Sequence, residues 1–161
     1  MHSIKEIADV VILGGGLAGM SLALQLKNSN PNLAIIVLER KKFPAPEAAH
    51  KVGESTVEIG SHYLSHTLGL KDMLEATQLR KFGLRFFLGA GSHDSLSGAD
   101  ELGASSFLPA VSYQLDRGRL ENDLVRLLRD RGIDVIDGCM ANNVVTEDQR
   151  SVKEVHWHTE D

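Results

Sequence analysis

Two sets of residues in this chain have the types and spacing for chemistry. The first is Val10-Val11-Ile12-Leu13-Gly14-Gly15-Gly16-Leu17-Ala18-Gly19, with Glu39 following 20 residues beyond Gly19 at the end of a second apolar run. A β-branched strand running into Gly-x-Gly-x-x-Gly lets the backbone turn at Gly14, approach a pyrophosphate at Gly16 and pack helix on strand at Gly19. The N–H groups that open the new helix at Leu17 and Ala18 would face the phosphates, where the helix dipole favours negative charge. Glu39 can accept hydrogen bonds from a ribose diol and would repel a ribose phosphate. An unphosphorylated adenosine ribose, as in FAD or NAD, is therefore favoured, although the adjacent Arg40 offsets part of that repulsion. The second set is histidine. His62-x-x-x-His66 would place two imidazoles on one helical face, and His156-x-His158 two on one strand face. Neither pair has a third ligand near it in sequence, so no metal site is expected. Nothing marks a nucleophile elbow, so no Ser/His/Asp triad is expected either.

These residues need a scaffold, and the pattern around them supplies one. Residues 17–28 read as a helix ended by Asn28-Ser29-Asn30-Pro31, and Leu33 to Leu38 as a buried parallel strand. The prolines of Phe43-Pro44-Ala45-Pro46 send the chain into an exposed loop that reaches Gly53-Glu54-Ser55-Thr56. Ser55-x-x-Glu58 is a capping-box pattern, which predicts a helix from Thr56 through Ile59, Tyr63, Leu64 and Leu68 to Gly69, then a short helix near residues 71–80. Leu84 to Leu88 is a predicted strand and Gly89–Ser106 a predicted long loop. Val111 to Leu115 alternates like a strand. Asp116 is the N-cap candidate of a helix whose apolar face is Leu120, Leu124, Leu127 and Leu128, with Gly132 at its C′ position. Ile133 to Ile136 is expected to be the next parallel strand, and Asn142–Glu147 with Ser151–His158 a hairpin turning at Asp148-Gln149-Arg150. The fold class is α/β: a Rossmann-like, doubly wound parallel sheet with a β-hairpin crossover, left unfinished where the sequence stops.

Composition narrows the class. A chain of 161 residues, 42% hydrophobic and 24% charged, can bury one core, so one domain is expected. Its net charge of −5 and lack of basic runs argue against nucleic acid. Val10 to Leu26 is uncharged and could be mistaken for a membrane span. Three consecutive glycines, the charged Lys5, Glu6 and Asp9 before it, and Pro31 after it oppose that, so no membrane partner is expected. The single Cys139 excludes an internal disulfide framework, fits a cytoplasmic location, and reads as a small buried hydrophobe.

Four ordered segments carry a resemblance: Val52-Gly53-Glu54-Ser55-Thr56, Leu68-Gly69-Leu70, Arg80-Lys81-Phe82-Gly83-Leu84-Arg85-Phe86, and Tyr113-Gln114-Leu115-Asp116-Arg117. Together they resemble the N-terminal part of the tryptophan-halogenase-like flavoproteins, in the FAD-dependent superfamily that also holds geranylgeranyl reductases and aromatic hydroxylases. The resemblance implies FAD rather than NAD, with Gly14, Gly16 and Gly19 at the pyrophosphate and Glu39 at the adenosine ribose. It implies that Gly53-Glu54-Ser55-Thr56 is a flavin-side loop linking isoalloxazine and substrate sites. Helix capping remains the alternative for Ser55 and Glu58. Arg117 matches an arginine that approaches the flavin's phosphate or ribityl region, against the alternative of a solvent-exposed first-turn arginine. Ala141 falls where the strand backbone meets the adenine.

Lys81 is the catalytic candidate on the same resemblance. A lysine in this segment of the halogenases handles hypochlorous acid and guides an electrophilic chlorine to an aromatic substrate. An ammonium can hydrogen-bond an oxidant and an unprotonated amine can react with one. The alternative is an exposed Arg80-Lys81 pair at a helix end. The later Trp-x-Trp-x-Ile-Pro signature is absent, since the only tryptophan is Trp157 in Val155-His156-Trp157-His158-Thr159. The second flavin motif, a Gly-Asp segment, and the substrate domain are expected to lie outside this sequence. Residues 1–161 therefore read as the N-terminal part of an FAD-binding domain. The implied enzyme is a flavin-dependent halogenase or monooxygenase acting on an aromatic or other small organic substrate, with reduced flavin supplied by a reductase. A flavin-dependent prenyl reductase stays open. So does a non-catalytic fragment, or half of a split flavoenzyme completed by a second chain.

Overall fold

The computed structural model describes residues 7–89, 96–145 and 153–159. In chain order its elements are β1 (Val10–Leu13), α1 (Leu17–Ser29), β2 (Ile35–Glu39), α2 (Glu58–His62), α3 (Lys71–Thr77), β3 (Leu79–Arg80), β4 (Arg85–Leu88), β5 (Asp100–Gly103), β6 (Tyr113–Gln114), α4 (Arg117–Asp130), β7 (Asp134–Asp137), β8 (Cys139–Val145) and β9 (Glu154–Thr159). They fall into two compact units, one formed by residues 1–52 with 116–161 and the other by residues 53–115.

The first unit is built on a parallel sheet of order β1-β2-β7, in register at Val11↔Ile36 and Val37↔Val135. Strand β2 is apolar on both faces because both faces are covered. Ile35 and Val37 are fully buried, while Ile36 and Leu38 cluster with Cys139 and are flanked by Ala141, Val155 and Trp157 of the β8–β9 hairpin. Helices α1 and α4 pack on each other and on the sheet. Helix α4 forms where expected. Leu120, Leu124 and Leu128 repeat on one face and are wholly buried, and the Asp116 carboxylate caps the first turn by accepting the Arg119 N–H at 3.1 Å. At its far end Gly132 adopts φ +70°, and Ile133 N–H reaches back to the Leu128 carbonyl at 3.0 Å, a Schellman closure. Strand β8 starts at Cys139, three residues before the predicted Asn142, and β9 runs Glu154–Thr159, one residue past the predicted His158, with a register shift between Ala141 and Asn143. Its predicted turn at Asp148-Gln149-Arg150 lies outside the described residues.

The second unit departs further from expectation. The helix predicted from Thr56 starts at Glu58, with Val57 as its N-cap and no side-chain cap, so the Ser55 capping box does not form. After one α-turn the chain widens into a π-helical turn over Tyr63–Thr67 and stops at Gly69, φ +72°. The short helix expected near residues 71–80 ends at Thr77, and Leu79–Arg80 pair antiparallel with Tyr113–Gln114. The predicted loop 89–106 contains β5, which pairs with β4 from Arg85↔Gly103 to Leu88↔Asp100. Asp100-Glu101-Leu102-Gly103 carries no strand alternation, so this pairing comes from the partner strand and the Arg85–Glu101 ion pair, not from local propensity. Leu64, Leu68, Leu70, Leu74, Tyr113 and Leu115 are buried here.

Candidate functional site

The first unit holds the glycine turn. Gly14 sits at φ +110°, a conformation L side chains avoid, and its N–H bonds the Leu38 carbonyl at 2.8 Å. At Gly19 the reason for glycine is contact: an added Cβ would stand 1.9 Å from the Gly14 carbonyl oxygen and 3.2 Å from Ile12 Cγ2. At Gly16 the reason is the reverse, since nothing lies within 4 Å of an added Cβ. Gly16 is the N-cap of α1, no side chain caps it, and the first turn carries no acid. The first-turn N–H groups of Leu17, Ala18 and Gly19 have no intrahelical acceptor and no side-chain cap, an arrangement that can accept a phosphate.

Glu39 does more than the sequence indicates. Its Oε2 accepts the Gly15 N–H at 2.6 Å and its Oε1 the Lys41 N–H at 2.8 Å, so the carboxylate ties the end of β2 to the glycine turn. Each carboxylate oxygen has two acceptor directions, which leaves capacity for a ribose hydroxyl. Gly15 is a site residue that sequence reasoning passed over: a Cβ there would fall 2.8 Å from Glu39 Cβ. Beside the turn, Gly14, Leu38, Glu39, Arg40, Met140 and Ala141 help line a cavity of about 300 Å³. Ala141 and Arg40 thus line the same cavity as Gly14 and Glu39. A larger cavity of about 410 Å³ lies against Arg129 and β7, and contains none of the motif residues. The cavity beside the glycine turn is the one that contains motif residues. Its uncapped helix start, the open space at Gly16 and the available carboxylate fit the adenosine and pyrophosphate of a dinucleotide.

Arg117, first residue of α4, is not a solvated surface arginine. Its Nη2 donates to Glu121 Oε1 at 2.7 Å and its Nη1 to the Val52 carbonyl at 3.5 Å, and Glu121 also takes Lys51 Nζ at 2.9 Å. The loop before it is strapped to α4. Asn122 pairs with both backbone groups of Ala45, Asp116 Oδ2 accepts the Ala48 N–H, and Gly118 is so close to Pro46 that a Cβ would meet its carbonyl at 1.9 Å. Burial acts to raise the Asp116 carboxyl, but the N–H groups of Ala48 and Arg119, the Arg119 charge and the Gly118 N–H outweigh it and hold the carboxyl below its ordinary range.

In the second unit Gly53 turns the chain at φ +88°, and the next three residues lie along β6. Leu115 N–H bonds the Glu54 carbonyl at 2.7 Å, Ser55 bridges Gln114, and Thr56 N–H bonds the Tyr113 carbonyl at 2.9 Å. Thr56 Oγ1 accepts the Tyr113 N–H at 2.7 Å and lies 2.7 Å from Ser61 Oγ. On the other edge of β6, Lys81 N–H holds the Ser112 carbonyl at 2.8 Å, and its Nζ donates to Ser55 Oγ at 2.9 Å and to the Thr56 carbonyl at 2.7 Å. Of the alternative, an exposed Arg80-Lys81 pair at a helix end, only the exposure of Arg80 holds: Lys81 follows a strand, is half-buried, and is bound to the Gly53–Thr56 loop. Tyr113 anchors this arrangement. It is 2% exposed, its hydroxyl donates to Glu75 Oε1 at 2.7 Å, and burial first, then that hydrogen bond and the carboxylate charge, push its phenol to about 12. His62 and His66 stack at 4.6 Å, and among the described residues no group of three His, Cys, Asp or Glu could hold a metal. Also among the described residues, no helix is long and apolar enough to cross a membrane.

Residues 9–96 match the sequence model of the tryptophan halogenase family. The flavin-dependent halogenase chlA of Dictyostelium discoideum is 28% identical over 152 residues, covering 89% of this chain and 25% of that protein. Among solved structures, the myxobacterial chondrochloren halogenase CndH, described as an FAD-dependent halogenase, superposes with a TM-score of 0.72 at 26% identity over 96% of this chain and 34% of that one. The halogenase PltM, solved with phloroglucinol and FAD, shares the fold with a TM-score of 0.68 at 15% identity, again over 96% of this chain and 32% of its own. The α/β Rossmann-like expectation is borne out. The chain spans about a quarter to a third of the length of these relatives.

Proposed function

From the premise that this chain belongs to the tryptophan halogenase family, we propose that it is the FAD-binding N-terminal portion of a flavin-dependent halogenase or monooxygenase. Gly14, Gly16, Leu17, Ala18 and Gly19 hold the pyrophosphate, Glu39 with Arg40 the adenosine ribose, and the Ala141 backbone the adenine. Gly53, Glu54, Ser55 and Thr56 serve the flavin side, and Arg117 the phosphate or ribityl region. When bound, FAD supplies the redox chemistry with oxygen, and the protein supplies position and exclusion of water. The substrate is an aromatic or other small organic molecule, and a flavin reductase delivers reducing equivalents.

The observation that carries the halogenase reading is the placement of Lys81 Nζ on Ser55 and Thr56. A cationic head fixed on this loop can donate a hydrogen bond to an oxidised halogen species and orient it toward a substrate. Replacing Lys81 by alanine in the active enzyme is expected to leave flavin binding intact and abolish halide incorporation; halogenation at the wild-type rate would remove the assignment.

A further inference from the structure

We propose that Ser55 is a positioning residue for Lys81, holding its head group in a single arrangement with one direction at Nζ left over. This rests on the reading of Lys81 above, but its geometry is independent of any cofactor.

Strand β6 registers both partners. The Glu54 carbonyl and Thr56 N–H bond Leu115 and Tyr113 along one edge, and the Lys81 N–H bonds Ser112 along the other. The side chain of Lys81 therefore starts from a fixed backbone and ends on two fixed acceptors, Ser55 Oγ at 2.9 Å and the Thr56 carbonyl at 2.7 Å. A lysine otherwise samples many rotamers, and two contacts at its tip remove most of that freedom. The two acceptors differ. A carbonyl only accepts, whereas a hydroxyl donates or accepts, so Ser55 can stay bonded to Nζ whether it carries three hydrogens or two. In either state, among the described residues, two of the three directions at Nζ are taken. The remaining one is an N–H or a lone pair, and it is what an incoming reactant meets.

Helix capping does not compete for the Ser55 hydroxyl. The helix that follows is capped at Val57 without a side chain, so its hydroxyl is not a helix cap. In an antiparallel bridge whose flanking residues bond β6, the N–H and C=O of Ser55 itself face the opposite edge. Side chain and backbone thus serve different directions: the hydroxyl is committed to Lys81, and the backbone faces away from β6.

The test is acylation of the whole chain with N-hydroxysuccinimidyl acetate, without flavin, read lysine by lysine by mass spectrometry. Lys71, exposed at the start of α3, is the internal reference. Lys81 is expected to react several-fold more slowly than Lys71. Ser55→Ala is expected to speed Lys81 about fivefold, the factor for loss of one ordinary net hydrogen bond, while leaving Lys71 unchanged. Ser55→Thr keeps the hydroxyl and is expected to keep the protection. Equal rates for Lys81 and Lys71 in the wild type, or no acceleration of Lys81 in a folded Ser55→Ala, would overturn the proposal. Should Ser55→Ala unfold, which far-ultraviolet circular dichroism reports, the wild-type ratio with the Ser55→Thr rate decides. Because flavin is absent, a chain that fails to bind FAD but shows this pattern sinks the cofactor reading alone.

Discussion

Alanine at Gly16 and at Gly19 should separate stability from ligand binding, although both glycines belong to one motif. At Gly19 the new methyl would stand 1.9 Å from the Gly14 carbonyl oxygen, more than an ångström inside ordinary contact, and the obstacle is backbone that cannot rotate away. Helix α1 must shift off the turn. Overpacking of this kind costs about 1–3 kcal/mol, and the gain in helix propensity from Gly to Ala returns at most about 1 kcal/mol. At Gly16, φ is −76° and nothing lies within 4 Å of the added Cβ, so the folded chain accommodates it and loses only the better N-cap, under about 1 kcal/mol. A pyrophosphate drawn to the same N–H groups would meet the methyl. Losing close approach there is expected to weaken FAD binding at least about tenfold, or about 1.4 kcal/mol. Urea melts and flavin titration of both variants make the assay. Gly19→Ala should shift the melt to lower urea, and Gly16→Ala should leave it nearly in place while losing flavin. A Gly16→Ala chain that binds FAD with wild-type affinity would refute the phosphate role, and one that melts like Gly19→Ala would refute the geometry of the turn.

Three further outcomes follow from the site. Lys81→Ala should retain flavin and lose halide incorporation, as set out above. For Tyr113 the folded phenol, at about 12, lies above its ordinary value of 10, so its contribution to stability is complete below pH 10 and is lost as pH rises toward 12. Near-ultraviolet phenolate titration should show one late-ionising tyrosine that Glu75→Gln brings down, and an unchanged midpoint in that variant would count against the Glu75 contact. The Asp116 carboxyl is held low in the folded chain, so its contribution is present at neutral pH and is lost as pH falls below the ordinary carboxylate range. Asp116→Ala should cost about 1–2 kcal/mol at pH 7, and its gap from the wild type should narrow as pH falls below the ordinary carboxylate range; a gap that does not change with pH would contradict this.

The glycine turn and α4 are legible in the sequence because each residue there has one physical reason to be what it is. Gly14 needs positive φ, Gly19 needs the absence of a methyl, Leu120, Leu124 and Leu128 repeat at helical spacing, and Gly132 closes the helix. Ser55 is different. A serine three residues before a glutamate can cap a helix or bond a lysine, and the choice here is made by Lys81, 26 residues away, through the pairing of β3 with β6. Strand β5 is not legible in the sequence because Asp100–Gly103 has no strand character until β4 is beside it. The double hold of Glu39 on Gly15 and Lys41 is likewise invisible from type and spacing, since the motif assigns that carboxylate only to a ligand. Lys51 and Glu121 carry no motif at all; their ion pair depends on the loop being strapped to α4.

This chain is expected to carry a flavin dinucleotide cradle. Titration of the purified chain with FAD, followed by flavin fluorescence and repeated with NAD as competitor, tests it most directly. A saturable change with one FAD per chain, insensitive to NAD and weakened in Gly16→Ala, is the predicted result. A folded chain that shows no saturation, or one from which NAD displaces FAD at equal concentration, would contradict it.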